Sequence, residues 1–328
     1  MPSLSVIVPT YNSSRTIEKC LKAIKQSGFL DYELIVVDCA SQDVTASISK
    51  KYANKTIELH ENTGRRRARK IGIDASSGSI IVNVDSDVLI KADTLAMIAA
   101  YFSRHRQIDA LTGLLSKEHP NPGFFSQYKN LYMHYIFKKL PERVSFLYGS
   151  IYALRRSAIE APGTDIKIAD DTALGQKLAL SGKQIAFLND LEVIHLKKYD
   201  LAAFIKNDFQ IPFEWARIFL TYKGWKQLGR QGTGYAHSPK GQIASVLLAP
   251  VISLLLVGSL FGYNLIPSAI ALTLIWSLLN FRFLAFLTKE RGLFFGVLSF
   301  FVTFLDNILM AIAILCGFVA YPIITFSK

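Results

Sequence analysis

Two carboxylate pairs concentrate the chemistry this chain can do. Asp85 and Asp87 stand one residue apart after the apolar run Ile80 to Val84, and Asp170 and Asp171 stand side by side ahead of a helical pattern closed by Gly182. In an extended chain residues i and i+2 point to the same side. Asp85 and Asp87 are therefore placed to meet one hard divalent cation, Mg²⁺ or Mn²⁺, whose remaining shell substrate phosphates and water would fill. In open α/β sheets ligands gather at that end of the strands. An aspartate after a strand is also a common solvated loop start, and spacing alone leaves both readings open. The second pair is equally double-edged. Acids in a first helical turn are favoured by the helix dipole, yet two crowded carboxylates tend to raise one pKa, which suits a general base. His195, which closes Val193-Ile-His195, reads first as a surface or packed residue.

The elements that must position these groups alternate. Leu4 to Pro9 reads as a strand broken by Pro9, and the polar loop Thr10-Tyr11-Asn12-Ser13-Ser14 leads to a helix that buries Ile17, Leu21 and Ile24. Tyr32 to Asp38 is a second strand ending in a carboxylate, and Thr56 to Leu59 a third. A basic helix, Arg65 to Ala75, precedes the strand of Asp85. Helices at Leu95 to Phe102 and Phe124 to Phe137, and strands at Asp109 to Leu115 and Leu147 to Leu154, continue the pattern. Strands alternating with helices imply an α/β fold with a mostly parallel sheet flanked by helices. The first strand-to-helix turn contains no glycine, which excludes the dinucleotide fingerprint, and no G-x-x-x-x-G-K-[ST] loop occurs.

Composition divides the 328 residues. After Gln242 nearly everything is apolar; of the formal net charge of +12, only +2 lies there and +10 on the first 242 residues. A basic domain joined to a membrane segment points to an anionic lipid surface or a phosphate-bearing ligand. Nucleic acid is the competing partner, and no reader motif accompanies the charge. Cys20, Cys39 and Cys316 are odd in number and lack metal-ligand spacing, as expected of a reduced, cytosol-facing domain. No signal peptide is expected, because Met1-Pro-Ser-Leu runs straight into a strand.

Taken in order, these motifs resemble the inverting family-2 glycosyltransferases of the GT-A nucleotide-sugar-binding fold, over roughly residues 4–200. Val6-Ile-Val-Pro9-Thr10-Tyr11-Asn12 resembles the family's opening strand and loop, and Val36-Val-Asp38-Cys-Ala-Ser-Gln-Asp43 its second nucleotide-contact strand. Asn62-Thr-Gly64 with Ala68-Arg69-Lys-Ile-Gly72 resembles the helix lining the donor site. Asp85-Ser86-Asp87 matches the D-x-D motif, Gly149-Ser150 through Arg155-Arg156 the acceptor-side segment, and Asp170-Asp171 stands where the family has Glu-Asp. The resemblance implies that Pro9, Thr10, Tyr11, Asn12, Asp38, Arg69, Asp85 and Ser86 meet the donor, with Arg69 near its phosphates. It further implies that Asp87 and Asp85 hold the cation with His195 as a third metal or pyrophosphate ligand, and that Asp171, with Asp170, supplies the base. Asp38-Cys39 departs from the Asp-Asp many members carry, which removes the ground for naming the base uracil. Arg65-Arg66-Arg67 reads as a solvated helix face or as a contact to donor phosphates. No Q-x-x-R-W motif follows, which disfavours processive polymerisation.

The expected organisation is a catalytic domain at 1–200, an amphipathic interfacial segment at 201–242 with aromatics among Lys and Arg, and about three transmembrane helices in 243–328. Ile243 to Phe261 and Leu265 to Leu287 are each long enough to span, and Leu293 to Phe326 exceeds one span. Lys289 and Arg291 favour the cytosolic side, where the catalytic domain lies. Asp306 in hydrocarbon would cost ~3 kcal/mol unless paired, with Arg282 as its candidate partner. The expectation is a multi-pass cell-membrane enzyme that uses a nucleotide-diphosphate sugar, and acts on a lipid-linked or envelope-glycan hydroxyl, with no nucleic acid. A polyprenyl-phosphate sugar synthase, whose acceptor needs no base, and a non-catalytic nucleotide-sugar-binding scaffold are the alternatives. A nucleotidyltransferase would need a glycine- and lysine-rich phosphate loop near the start of the chain, which is absent.

Overall fold

The structure is a computed structural model that describes residues 2–160, 171–226 and 239–325. The chain divides into two units, Met1–Pro120 with Phe137–Lys197, and Asn121–Ile136 with Lys198–Lys328. The first is built from β1 (Leu4–Thr10), α1 (Ile17–Lys25), β2 (Tyr32–Asp38), α2 (Thr45–Tyr52), β3 (Lys55–Glu58), α3 (Gly64–Asp74) and β4 (Ile80–Val84). Then come β5 (Val88–Leu89), α4 (Thr94–Arg104) and β6 (Ala110–Leu115). After an excursion into the second unit as α5 (Phe124–Phe137), it continues with β7 (Arg143–Val144), β8 (Ile151–Arg155), α6 (Arg156–Glu160), α7 (Asp171–Leu180) and β9 (Ile185–His195). Residues 121–136 thus group with the C-terminal helices rather than with the sheet.

Strand order is β3-β2-β1-β4-β8-β6-β9-β5, with β7 also pairing β9. The β3-β2-β1-β4 half is parallel, as the alternation of strands and helices dictates. The other half is mixed: β6 pairs β9 in parallel, whereas β8 runs antiparallel to both β4 and β6, and β5 and β7 run antiparallel to β9. Pro9 does not break β1. Thr10 O accepts from Cys39 N–H on the β2 side, so the amide of Pro9, one residue earlier, faces β4. Pairing with β4 has already stopped at Ile7 and Asn83, so the missing donor costs nothing.

The core forms where patterning places it. β1 and β6 are buried at every position, and α1 buries Ile17, Cys20, Leu21 and Ile24 as one apolar stripe. α3 buries Ala68, Arg69, Gly72 and Ile73. Gly72 is required for this approach, because a Cβ there would lie 2.5 Å from Ile7 Cγ2. Pressing the helix so close to β1 carries Arg69, one turn earlier, into the interior.

The second unit groups α5 with α8 (Leu201–Thr221), α9 (Lys240–Ser259), α10 (Ile266–Arg291) and α11 (Leu293–Thr325). Three of these, from Lys240 to Ser259, Ile266 to Arg291 and Leu293 to Tyr321, are long and apolar enough to cross a membrane. Trp276 of α10 is fully buried among Ala249, Ile252, Phe300 and Phe304. Aromatic rings of α5 dock on α10 and α11: Phe124 lies 4.7 Å from Phe295, Tyr135 5.2 Å from Phe286, and Tyr128 shares a 3.0 Å hydrogen bond with Thr303. Asp306 is buried, as its cost in hydrocarbon demands, but its partner is not Arg282, which is exposed. It lies instead beside Asp208 of α8, which Lys129 of α5 neutralises through a direct ion pair. A carboxylate inside an apolar bundle persists only where a cation and hydrogen bonds accompany it.

Replacing Lys129 by Met strands that buried charge and is expected to cost about 3–5 kcal/mol, read as a lowered melting temperature of the detergent-purified protein. Lys138→Met, which removes a surface pair with Glu192, should cost less than about 1 kcal/mol; equal losses would refute the buried-pair account.

Candidate functional site

The site gathers at the carboxyl ends of β1, β2 and β4. Asn12 occupies the left-handed region at φ 47, which Asn tolerates better than most residues. This turns the β1–α1 loop toward the β2–α2 loop, and the two are cross-braced. Asn12 N–H donates to Ser41 Oγ at 2.8 Å, Gln42 N–H to Asn12 Oδ1 at 2.8 Å, and Ser13 N–H to Thr45 Oγ1 at 2.8 Å. Asp43 accepts from Ser14 N–H at 3.2 Å and from the Thr45 hydroxyl. Desolvation acts to raise the Asp43 pKa, but the bonds from Thr45 and Ser14 outweigh it and hold the carboxyl down at about 2. Buried Asp38 accepts from both the N–H and the hydroxyl of Ser41. Opposite it in register, the Thr10 hydroxyl is buried without a hydrogen-bond partner, and Tyr11 beside it is exposed. A pocket floor with an acid, an orphaned hydroxyl and an accessible ring suits a polar ring system with hydroxyl groups.

β4 ends at Val84, and the next residues turn: Val88 N–H donates to Asp85 O at 3.1 Å. The extended-chain argument for two carboxylates on one side therefore does not apply, and Asp85 and Asp87 find separate partners. Asp85 Oδ1 accepts from Arg69 Nη2 at 3.0 Å, and exposed Arg65 reaches to 3.9 Å from Oδ2. Of the three adjacent arginines, Arg65 alone makes this approach; Arg67 pairs with Glu61 at 3.6 Å. Asp87 Oδ2 lies 3.5 Å from His195 Nε2, brought there by the pairing of Val88 with His195 across β5 and β9. Burial works to raise the Asp87 pKa, but His195 and Lys197 outweigh it and bring it to about 2. Ser86 shares a 3.0 Å hydrogen bond with Ser13, tying this turn to the first loop. Among the described residues, no group of three or more His, Cys, Asp or Glu converges as a ready-made metal cage.

The third wall is the turn before β8. Strand pairing begins only at Ile151, not at Leu147, because Ile151 N–H donates to Tyr148 O in a tight turn. Gly149 O accepts from Asn83 Nδ2 at 2.9 Å, which pins the turn to β4. A Cβ on Gly149 would lie 2.1 Å from Asp171 Oδ2 and 3.2 Å from Arg69 Nη2. Glycine is needed here for that approach. Asp171 opens α7 at this spot, Ser150 is buried beside it, and Asp170 lies outside the described residues. Sequence reading missed Tyr148. Desolvation raises its pKa, a hydrogen bond with Ser150 opposes this, and the charges of Asp85, Asp171 and Asp87 raise it further, so it stays a neutral hydroxyl. Its signal, a tyrosine next to Gly149, was hidden by reading the segment as strand.

Residues 5–161 match the family described as Glycosyl transferase family 2. The chain is 33% identical over 106 residues to an N-acetylglucosaminyltransferase of Bradyrhizobium sp. (strain ANU 289), a match covering 30% of this chain and 69% of that protein. It is 36% identical over 112 residues to the poly(ribitol-phosphate) beta-N-acetylglucosaminyltransferase TarS of Staphylococcus aureus, covering 32% of this chain but only 20% of the relative's length. Among solved structures, the mannosyltransferase PcManGT of Pyrobaculum calidifontis, in complex with GDP-Man and Mn²⁺, shares the fold. It has a TM-score of 0.58 at 18% identity, over 98% of this chain and 87% of that one.

Gly149→Ala pushes the Asp171 carboxylate aside. Were Asp171 a reacting group, a misplacement of about 1 Å would lower turnover roughly 100-fold while leaving the fold intact, as read by steady-state assay beside a melting curve. Asp43 is depressed from its ordinary 3.8 to about 2, so its stabilising share is complete above pH 4 and disappears as pH falls toward 2. Asp43→Asn should flatten the acid side of a melting-temperature–pH curve; an unchanged acid limb would refute the bracing role.

Proposed function

This chain belongs to glycosyl transferase family 2, and we propose that it transfers a sugar, with inversion, from a nucleoside-diphosphate donor to a hydroxyl of a lipid-linked or envelope-glycan acceptor. The observation that carries the proposal is the meeting of Asp85, Arg69 and Asp171 over Gly149. It brings a donor-side carboxylate and a candidate base to one gap at the strand ends. Asp38, Thr10, Tyr11 and Asn12 form the wall for base and ribose, with Pro9 just inside the strand end. Gly149 and Ser150 border the acceptor side.

In the reaction the acceptor oxygen forms a bond to the anomeric carbon as the bond from that carbon to the diphosphate oxygen breaks. Asp171 takes the acceptor proton, the electron pair leaves with the nucleoside diphosphate, and approach from the opposite face inverts the centre. The donor set fits a hard divalent cation: Asp87 remains ionised and its side chain is 28% exposed, with His195 too far for a tight hydrogen bond. Asp87, Asp85 and His195 would hold Mg²⁺ or Mn²⁺, which supplies positive charge to the departing diphosphate. Mn²⁺ accompanies the donor in the structural neighbour from Pyrobaculum.

The three long apolar helices carry exposed Leu254, Phe261, Leu274, Leu278, Phe281 and Phe301, a surface suited to lipid. We assign them to the cell membrane, with Lys289 and Arg291 on the cytosolic side. Such an anchor keeps an amphiphilic acceptor and the enzyme on one surface. We assign α8, with exposed Leu201, Ile205 and Ile211, to the interface; residues 227–238 of the expected segment 201–242 lie outside the described residues.

Thermal shift of the purified protein with uridine, guanosine, thymidine and cytidine diphosphates, with and without Mn²⁺, tests the donor site. A Mn²⁺-dependent rise with one base, absent in Asp87→Ala, is expected; no rise with any nucleotide in folded protein sinks the proposal. Asp171→Asn should lower transfer about 10²–10⁴-fold. Unchanged turnover would instead favour an acceptor that is already anionic.

A further inference from the structure

Arg69 is nearly the least accessible charged side chain of the sheet unit: its side chain is 2% exposed, and its Nε has no hydrogen-bond partner. That burial argues against a direct role in binding donor phosphates from solvent, the role its motif implied. Its Nη2 serves two neighbours. It bonds Asp85 Oδ1 at 3.0 Å, and it lies 3.2 Å from the point above Gly149 that Asp171 Oδ2 approaches to 2.1 Å. The guanidinium plane is further braced by the ring of Tyr152, 5.7 Å from Cζ, and by the seat that Gly72 gives α3 on β1. A fixed cation between two carboxylates, one on each side of the reacting gap, orients both.

Resting on the glycosyltransferase reading, we propose that Arg69 is a positioning residue that holds the base Asp171 against Gly149 and links it to the donor-side carboxylate Asp85. Arg69 acts through Asp171 and touches neither substrate. A divalent cation held by Asp85 would compete with Arg69 for Oδ1, and the guanidinium would then be left to pair with Asp171. The base would thereby be kept aimed when a donor is present. Gly149 and Arg69 form one device, the glycine providing the gap and the arginine filling it with charge.

The test uses full-length protein in detergent, as wild type, R69K, R69M, D171N and R69M/D171N. R69M is expected to lower kcat for transfer at least about tenfold. Adding R69M to D171N should cost no more than about threefold further, because the residue it acts through is already gone. R69K should recover part of kcat, which a purely space-filling role would not require. Losses that multiply in the double variant, or an R69M effect confined to donor KM, overturn the proposal. The unfolding midpoints of wild type, R69M, D171N and the double variant form a second cycle that needs no activity. Non-additive shifts support the Arg69–Asp171 link even if the wild type transfers none of the sugars tried, and additive shifts overturn it. Absence of transfer in the wild type, by contrast, bears on the glycosyltransferase reading alone.

Discussion

A guanidinium removed from water is the constraint around which the sheet unit is arranged. Moving an ion into a low-dielectric interior costs several kcal/mol unless a partner of opposite sign is fixed beside it. Arg69 therefore requires Asp85 at the end of β4, and Asp85 in turn requires the chain to leave the strand at Val84 and turn. The same requirement fixes two glycines. Gly72 lets α3 descend far enough to bring the arginine inside, and Gly149 leaves room for a second carboxylate on its other flank. Local backbone choices that look independent in the sequence answer to one buried charge.

The parallel half of the fold was legible because its signals are local. Apolar runs, a 3.6-residue stripe on α1 and polar loops between them fix β1, α1, β2 and β4 to within a residue or two. The direction of β8 was not legible, since the apolar run Ile151 to Leu154 carries no mark of which way it inserts between β4 and β6. The turn at Asp85 was missed for a similar reason: i, i+2 spacing reports orientation only while the chain stays extended. Residue types named Asp38, Asp85, Asp87 and Asp171 as chemistry, but pairing is a three-dimensional property. Nothing in sequence spacing links Arg69 to Asp171, some hundred residues away.

The helical unit follows the same electrostatic rule by different means. Asp306 interrupts an otherwise apolar helix, and Arg282, a basic residue on the neighbouring span, looked like its natural partner. The bundle instead recruits Lys129 and Asp208 from α5 and α8. Interior polar groups of this kind restrict how helices can pair, because a rotated or slipped α11 would leave Asp306 unaccompanied in hydrocarbon. α11 itself has 33 residues, about 50 Å of helix, against a hydrocarbon core of about 30 Å, and α8 packs along part of its excess, with Gly317 against Phe213 and Ala216.

The placement of α5 bears on how the protein is made. Its sequence lies between β6 and β7, so a ribosome releases it together with the sheet, long before α8, α10 and α11 exist. Until then Phe124 lacks Phe295, Tyr128 lacks Thr303, Tyr135 lacks Phe286 and Lys129 lacks Asp208. α5 is thus synthesised before the helices it packs against. A chain cut after Lys197 would retain that helix with nothing to cover it. The sheet unit is thus not separable as a continuous stretch of chain: a cut after Lys197 leaves α5 without the aromatic and ionic partners that later helices supply.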